Sequence, residues 1–593
     1  MSEKHLIGFA SIPVIGIGAQ WLAWRFALPS ILVLLLAGFA IGPVFGLLNP
    51  DKLLGDMLNP LVSLSVALIL FEGGLSLKIS DLKGIGKVIG NLITIGAFIT
   101  WALISIAAYS FFSFGYQLSI LLGSILIVTG PTVIGPLLRQ LKLRRNIASI
   151  LRWEGIVIDP IGAVLTVLVY EVLIIAGTTE ALSVTIWILL RTLIFGGLLG
   201  LWGSLIMMVI MDKHWVPEYL QEVFTLMIVI TVFTLSNVMQ SESGLLAVTI
   251  MGIVLANQKK VVIKHIVTFK ENLTLILLSS LFILLSSRLQ LEDLLAVFNL
   301  KSALFIAVVL IVRPLAVLVS TTNSSLAFKE RLFLSCLAPR GIVAAMIASL
   351  FAIKLETLGY LGANQIVPIT FLVIISTVSI YGLLSNPIAK LLKVKLVKNK
   401  GLMIVGAHEW VRTLAVTLKN EGFEILLVDT NKEYIVTARQ EGLNVVQGSI
   451  FSQRVQEEIE LGGVGRLLAM TSSDEINLLS SIEYTSVLNP HDIYRLSPER
   501  KNVLDESYSE HYSKGFYLFQ KGISFSFINA KVTAGYKIAI ISIDSYADSR
   551  DFIQNNTKII PLFIISSRGR LVIICENKPI PRLKKSKIVC FKR

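Results

Sequence analysis

Cysteine is nearly absent from this chain: Cys336, Cys575 and Cys590 are the only three in 593 residues. None has metal-ligand spacing, so neither a disulfide framework nor a zinc site is expected. Acidic residues are also scarce, 39 against 53 lysines and arginines, which leaves a formal net charge of +14. The first apolar stretch runs into Trp21-Leu22-Ala23-Trp24-Arg25 without a small-residue cleavage pattern, so it reads as a span and not as a removable signal. No Thr-Val-Gly-Tyr-Gly run occurs, which leaves a potassium-selective pore without support. A catalytic constellation is missing too, and no enzymatic activity is expected.

Apolar sequence is what the chain has in excess. Hydrophobic residues make up 54% of it and its mean hydropathy is +0.76, which describes an integral membrane protein. About thirteen apolar stretches precede Lys390, at approximately 6–24, 29–48, 58–76, 86–113, 117–137, 147–176, 182–210, 219–238, 243–257, 272–288, 301–321, 331–353 and 365–389. The loops after odd-numbered stretches collect the basic residues, such as Arg139, Lys142, Arg144 and Arg145 after the fifth. Those after even-numbered ones hold chiefly Lys52 and Lys354. That alternation predicts an N-terminus outside and a C-terminal tail in the cytoplasm, with a bacterial inner membrane as the setting. It also accounts for the net charge through loops beside anionic lipid, so no nucleic-acid partner is required.

Beyond the basic hinge at 390–400 the pattern changes. Strand-length apolar runs at Leu402–Val405, Glu424–Val428, Asn444–Val446, Arg466–Met470 and Asp492–Arg495 alternate with helix-length polar segments, as in a doubly wound parallel sheet. The runs Ile559–Ser567 and Arg570–Glu576 around an Arg-Gly turn suggest a small β-rich end. The expected organisation is a membrane domain at 1–392, a Rossmann-like α/β domain at 399–500 and a β-rich regulatory domain at 501–593.

The most informative residue is Asp159, a carboxylate in the middle of the apolar stretch 147–176. Such a charge costs about 2.5–3.5 kcal/mol even on lenient insertion scales, so it is read as functional. Glu154 lies five residues earlier, about 140° away around a helix, and cannot share its face. A buried arginine is the natural partner for Glu154, with Arg313 of Arg313-Pro314 the first choice, and that pair reads as architectural. Asp159 is then free to exchange a proton for a metal cation. Backbone disruption gathers near it. Thr129-Gly130-Pro131-Thr132 interrupts the fifth stretch and Pro339-Arg340-Gly341 the twelfth, where broken helices would build a midplane ion site. The prolines are expected to leave the carbonyls of Ile127, Thr132, Ser335 and Ile156 as unpaired oxygens. Thr129 offers a hydroxyl ligand, with helix capping as the alternative. Glu72 is a second candidate ligand, with a solvated edge as the alternative.

These residues, together with Phe71-Glu72-Gly73-Gly74, resemble the monovalent cation/proton antiporters of NhaP and NHE type over residues 5–392. The resemblance implies two inverted repeats, a dimerisation domain and a mobile core, and elevator-like exchange of Na⁺ or K⁺ for H⁺ at Asp159 in a homodimer. Two positions depart from the family pattern. Gly130 stands where an aspartate is common, and Ile158 where an asparagine usually precedes the key aspartate. Residues 399–500 resemble the TrkA-N (RCK-N) module. In that module a Gly-x-Gly-x-x-Gly turn and a later acid, here Gly406 and Asp429, hold a dinucleotide. Only the first glycine survives in Gly406-Ala407-His408-Glu409-Trp410-Val411, so a degenerate module serving dimer contacts or another ligand is expected over a nucleotide cofactor. Sodium is favoured by the membrane resemblance. A K⁺/H⁺ antiporter regulated by the tail is the alternative, ahead of a potassium channel or a membrane-anchored dinucleotide enzyme.

Overall fold

The computed structural model describes residues 3–593 except 27, 113, 142, 176–180, 259, 262–263, 361, 396–400, 453–454, 456–463, 487, 500–515, 520–521, 544–558, 568 and 576–585. The chain forms two compact units, Met1–Lys395 and Leu396–Arg593.

Among the described residues, the first unit is built of helices. Its opening part runs α1 (Glu3–Arg25), α2 (Ser30–Phe39), α3 (Pro50–Leu54), α4 (Leu58–Leu75), α5 (Gly86–Asn91) and α6 (Ala97–Phe111). It continues through α7 (Tyr116–Ile125), α8 (Pro131–Leu141), α9 (Arg145–Ile175), α10 (Ala181–Asp212), α11 (Glu218–Met239) and α12 (Ser243–Asn257). The remainder is α13 (Lys264–Ser287), α14 (Leu291–Val297), α15 (Leu300–Ser320), α16 (Phe328–Ser335), α17 (Ile342–Thr357) and α18 (Ile366–Leu391). Each apolar stretch read from the sequence falls on one of these helices or on a pair of half-helices. By length and composition, eight helices among the described residues are long and apolar enough to cross a membrane, and four more are shorter and apolar.

Without a hydrophobic drive between helices in lipid, small residues must let backbones approach. Gly74 of α4 does this against α12, where a Cβ would stand 2.7 Å from the carbonyl oxygen of Thr249, and Gly252 returns the contact on Phe71. Gly200 of α10 meets Ala247 of α12 in the same way. Two helical paths are interrupted, between α7 and α8 and between α16 and α17, and α9 runs beside the first break.

The second unit is α/β. Parallel strands β1 (Gly401–Val405), β2 (Ile425–Asp429), β3 (Asn444–Gln447), β4 (Val464–Ala469), β5 (Ile493–Arg495) and β6 (Phe516–Tyr517) form a sheet of order β3-β2-β1-β4-β5-β6. Helices α19 (Glu409–Asn420) and α20 (Lys432–Gln440) connect its first strands. β1 is buried at every residue, as a central strand covered on both faces should be. An antiparallel sheet follows, made of β7 (Lys537–Ile543), β8 (Ile559–Ile565), β9 (Leu571–Ile573) and β10 (Ser586–Lys592) in the order β7-β10-β8-β9. The two sheets share one apolar core, in which Trp410 and Leu414 of α19 pack with Phe563 and Phe591. The β-rich end is therefore fused to the Rossmann-like part by its interior.

Candidate ion site at the crossing of two broken helices

Proline and glycine open both helical paths. α7 stops at Ile125 and α8 restarts at Pro131, where the missing amide hydrogen belongs to a first turn that has no intrahelical partner for it. α16 stops at Ser335 and α17 restarts at Ile342. The two unwound stretches cross backbone on backbone. The Gly130 amide donates to the carbonyl of Pro339 at 3.0 Å, and a Cβ on Gly130 would stand 2.5 Å from the Cα of Gly341. Neither glycine is in the left-handed region; the close approach alone demands the absent side chain.

Arg340 fastens this crossing. Its buried guanidinium donates from Nη1 to the carbonyl of Ile127 at 3.1 Å, and its backbone amide donates to the hydroxyl of Thr377 on α18 at 3.2 Å. The expectation that Ile127 would offer an unpaired oxygen is thereby corrected: the break frees that carbonyl, and Arg340 takes it.

Asp159 faces the crossing from α9. Gly155 and Gly162 lie four residues before it and three after, on one helical face. A Cβ on Gly155 would stand 2.8 Å from Ile134 and 3.7 Å from the Cα of Pro131, and Gly162 packs on Val128 and Ile127. Asp159 thus looks onto 127–134, the broken stretch and the first turn of α8. It is 0% exposed, and neither carboxylate oxygen has a hydrogen-bond partner among the described residues. The hydroxyls of Thr129 and Thr132, both buried, are likewise unpartnered. Buried polar groups are nearly always bonded, so four such oxygens on two adjoining elements make the crossing the candidate ion site.

Glu154 turns the other way. Arg313 of α15 binds it through both guanidinium ends, Nη1 to Oε1 and Nη2 to Oε2 at 2.9 Å, while Nε donates to the carbonyl of Leu334 at 3.2 Å. One arginine therefore joins α9, α15 and the last turn of α16. Glu72 is half-buried near the end of α4, and a Cβ on its neighbour Gly73 would stand 3.4 Å from the side chain of Ile156 on α9. Ile158 is buried. Sequence reasoning missed Thr377, the carbonyls of Leu334 and Ile127 as arginine acceptors, and the flanking role of Gly155 and Gly162. The spacing Gly-x-x-x-Asp-x-x-Gly was the available signal for the last.

In the α/β unit, Gly406 has φ +108 and packs against Met470, where a Cβ would stand 2.7 Å from the carbonyl oxygen. The next amide, that of Ala407, donates to Oδ2 of Asp429 at 2.7 Å, and Oδ1 of Asp429 accepts from the amide of Asn431 at 2.8 Å. His408 lies against Tyr434 and Phe525, with ring centroids 5.2 and 4.7 Å away. Burial holds its imidazole below the usual histidine range, against the opposing pull of Asp429. A dinucleotide needs free amides for its pyrophosphate and a free acid for its ribose. Here each engages the other, so the residues present do not fit that cofactor.

The chain is also similar to known proteins. A family model described as sodium/hydrogen exchanger, transmembrane, matches residues 11–391. The chain belongs to that family. A TrkA-N domain model matches residues 402–500 of this exchanger. Among curated relatives, the K(+)/H(+) antiporter NhaP2 of Shewanella oneidensis is 25% identical over 420 residues, covering 69% of this chain and 71% of its own length. Na(+)/H(+) antiporter 1 of Methanocaldococcus jannaschii is 25% identical over 363 residues, covering 60% and 85%. The solved sodium proton antiporter MjNhaP1 of the same organism shares the fold, with a TM-score of 0.58 and 24% identity over 66% of this chain and 99% of that one. The exchanger is thus an integral membrane protein of monovalent cation/proton antiport, in a family of transporters and not of enzymes.

Proposed function

We propose that Asp159 binds a monovalent cation and a proton in competition, and that the membrane unit carries them in opposite directions by elevator-like alternating access. One observation carries this reading: a fully buried carboxylate without a partner among the described residues faces the crossing of two broken helices. A carboxylate so placed cannot stay bare in a low-dielectric interior, and it must hold either a cation or a proton. The hydroxyls of Thr129 and Thr132 add neutral oxygens suited to a hard cation. Arg340 and the Glu154–Arg313 pair keep their charges, hold the crossing together and do not exchange. Because one carboxylate is neutralised on both legs, exchange is one for one.

Na⁺ is the favoured cation, on the likeness to Na(+)/H(+) antiporter 1 and MjNhaP1. K⁺ is the second reading, favoured by the TrkA-N tail and by the likeness to NhaP2 over 420 residues. The positive-inside alternation and the family likeness support thirteen spans in inverted repeats, a homodimer in a bacterial plasma membrane, and a cytoplasmic tail. Glu72 is retained as a candidate second ligand at the edge of the ion path.

Dissipation of an imposed pH gradient in proteoliposomes, compared for Na⁺, K⁺ and Li⁺, tests class and cation together. Asp159→Asn should fold and insert yet lose cation-dependent proton movement in all three. Exchange at the unmodified rate in that variant would refute the assignment.

A further inference from the structure

The last membrane helix does not simply run out toward the tail. After Leu391, Lys393 adopts a left-handed conformation at φ +57, unusual for a residue with a side chain. This turns the chain back, and the Val394 amide donates to the carbonyl of Ala389 at 3.2 Å. Val394 ends up 1% exposed. Its carbonyl accepts from the Arg144 amide at 3.2 Å, and Lys395 forms an antiparallel bridge with Leu143, itself buried. The ammonium of Lys395 donates to Oδ1 of Asn386 at 2.5 Å.

The place where this segment is fastened matters. Leu143 and Arg144 belong to the short connection between α8, which begins at the crossing, and α9, which carries Asp159. Arg144 also stands 3.7 Å from Glu330, in the first turn of α16, the half-helix that leads into the other break. The three-residue segment therefore ties down a junction of the elements that build the ion site. Only six residues beyond Lys395 the tail's first strand begins at Gly401, a tether that reaches about 20 Å at most. Larger displacements of the tail must pull on Lys395.

We propose that Lys393–Lys395 is a strap through which the α/β tail controls exchange, by holding or releasing the α8–α9 junction. The proposal rests on the exchange reading above. With the strap seated, α8, α9 and α16 are held in one mutual arrangement at this end, which keeps the ion site assembled. Peeling Val394 out loosens that arrangement and shifts the population away from it. A plain C-terminal cap would satisfy the last carbonyls of α18, but it has no need of a bridge to a loop some 250 positions earlier in sequence.

The test uses the full chain in proteoliposomes, with cation-driven proton flux read by a trapped pH dye. Leu143 and Lys395 form a pair without hydrogen bonds between them, since the bond runs from Arg144 to Val394. Such pairs lie about 4.5 Å apart at Cα, within disulfide reach. Oxidised Leu143→Cys/Lys395→Cys locks the strap, and reductant releases it. A six-residue Gly-Ser insertion after Lys395 slackens the tether instead, so the tail can no longer pull. Lock and insertion should each change the flux by about fivefold or more, the lower bound for energetic coupling between sites. They should act in the same direction, combine without adding, and be opposed by Val394→Gly. Single-cysteine variants should not respond to oxidant. Flux that is the same locked and reduced at every pH overturns the strap while leaving the exchange reading intact, as do lock and insertion effects that add. An unmodified chain that exchanges no cation overturns both.

Discussion

Glu154 and Asp159 sit five residues apart on one helix and do opposite things because the helix points them at different neighbours. Glu154 meets a guanidinium that binds it at both oxygens, whereas Asp159 meets backbone turns and apolar side chains around the break. Removing one partner of a buried pair leaves an uncompensated charge, at a cost of about 3–5 kcal/mol, while replacing both with packed apolar residues is often neutral. Glu154→Gln should therefore lower the unfolding midpoint of the detergent-solubilised protein sharply. Glu154→Met with Arg313→Met should recover most of the loss. A double variant as unstable as the single one would show that Arg313 is needed for its third bond, to Leu334, more than for the pair. The Glu154–Arg313 pair was legible in the sequence, since an apolar run makes each acid conspicuous and leaves few partners. The destination of Arg340 was not. Nothing in Pro339-Arg340-Gly341 tells which carbonyl a guanidinium will reach across a crossing 213 positions away.

At the scale of elements, helix positions followed from hydropathy and strands β1 to β5 from apolar runs to within a residue or two, whereas β6, β7 and β10 were not read from the sequence. Both signals are periodic and local. The crossing is neither. Gly130 and Gly341 look alike in sequence to Gly135, yet a Cβ at either of the first two meets the opposite backbone, whereas Gly135 has open space within 4 Å. The three glycines make a controlled comparison. Gly130→Ala or Gly341→Ala should push the unwound stretches apart and reduce exchange on the order of 10²-fold, the usual consequence of misplacing binding groups by about 1 Å. Gly135→Ala should leave exchange unchanged and stabilise α8 by about 0.5–1 kcal/mol, through the lower backbone entropy of alanine. Equal losses at all three positions would mean that glycine is needed here for flexibility, and the close approach would not be the cause. The fused core of the tail escaped the sequence reading for a similar reason. Trp410 and Phe591 have ring centroids 6.2 Å apart across 181 positions, and no local pattern announces such a pair.

For the molecule as a whole, the decisive quantity is the charge that moves. If Asp159 is the one group that changes partner, the moving part carries a carboxylate with a cation in one direction and a carboxylate with a proton in the other, equally neutral. On that proposal, Arg340 and the Glu154–Arg313 pair travel with unchanged charge on both legs and contribute nothing to the difference. Each elementary charge moved through a potential of 100 mV is worth about 2.3 kcal/mol, so net movement of even one charge per cycle would displace the final gradients by roughly 50-fold. Neutral exchange predicts no displacement. Proteoliposomes clamped at 0 and at about −100 mV with an ion that the exchanger does not carry, and loaded with equal cation gradients, should therefore reach the same internal pH, at equal initial rates. A potential-dependent end point would require a second titrating carboxylate in the cycle. Glu72, half-buried on α4 beside the helix of Asp159, would be the first to replace: Glu72→Gln should then abolish the voltage response while leaving exchange itself in place.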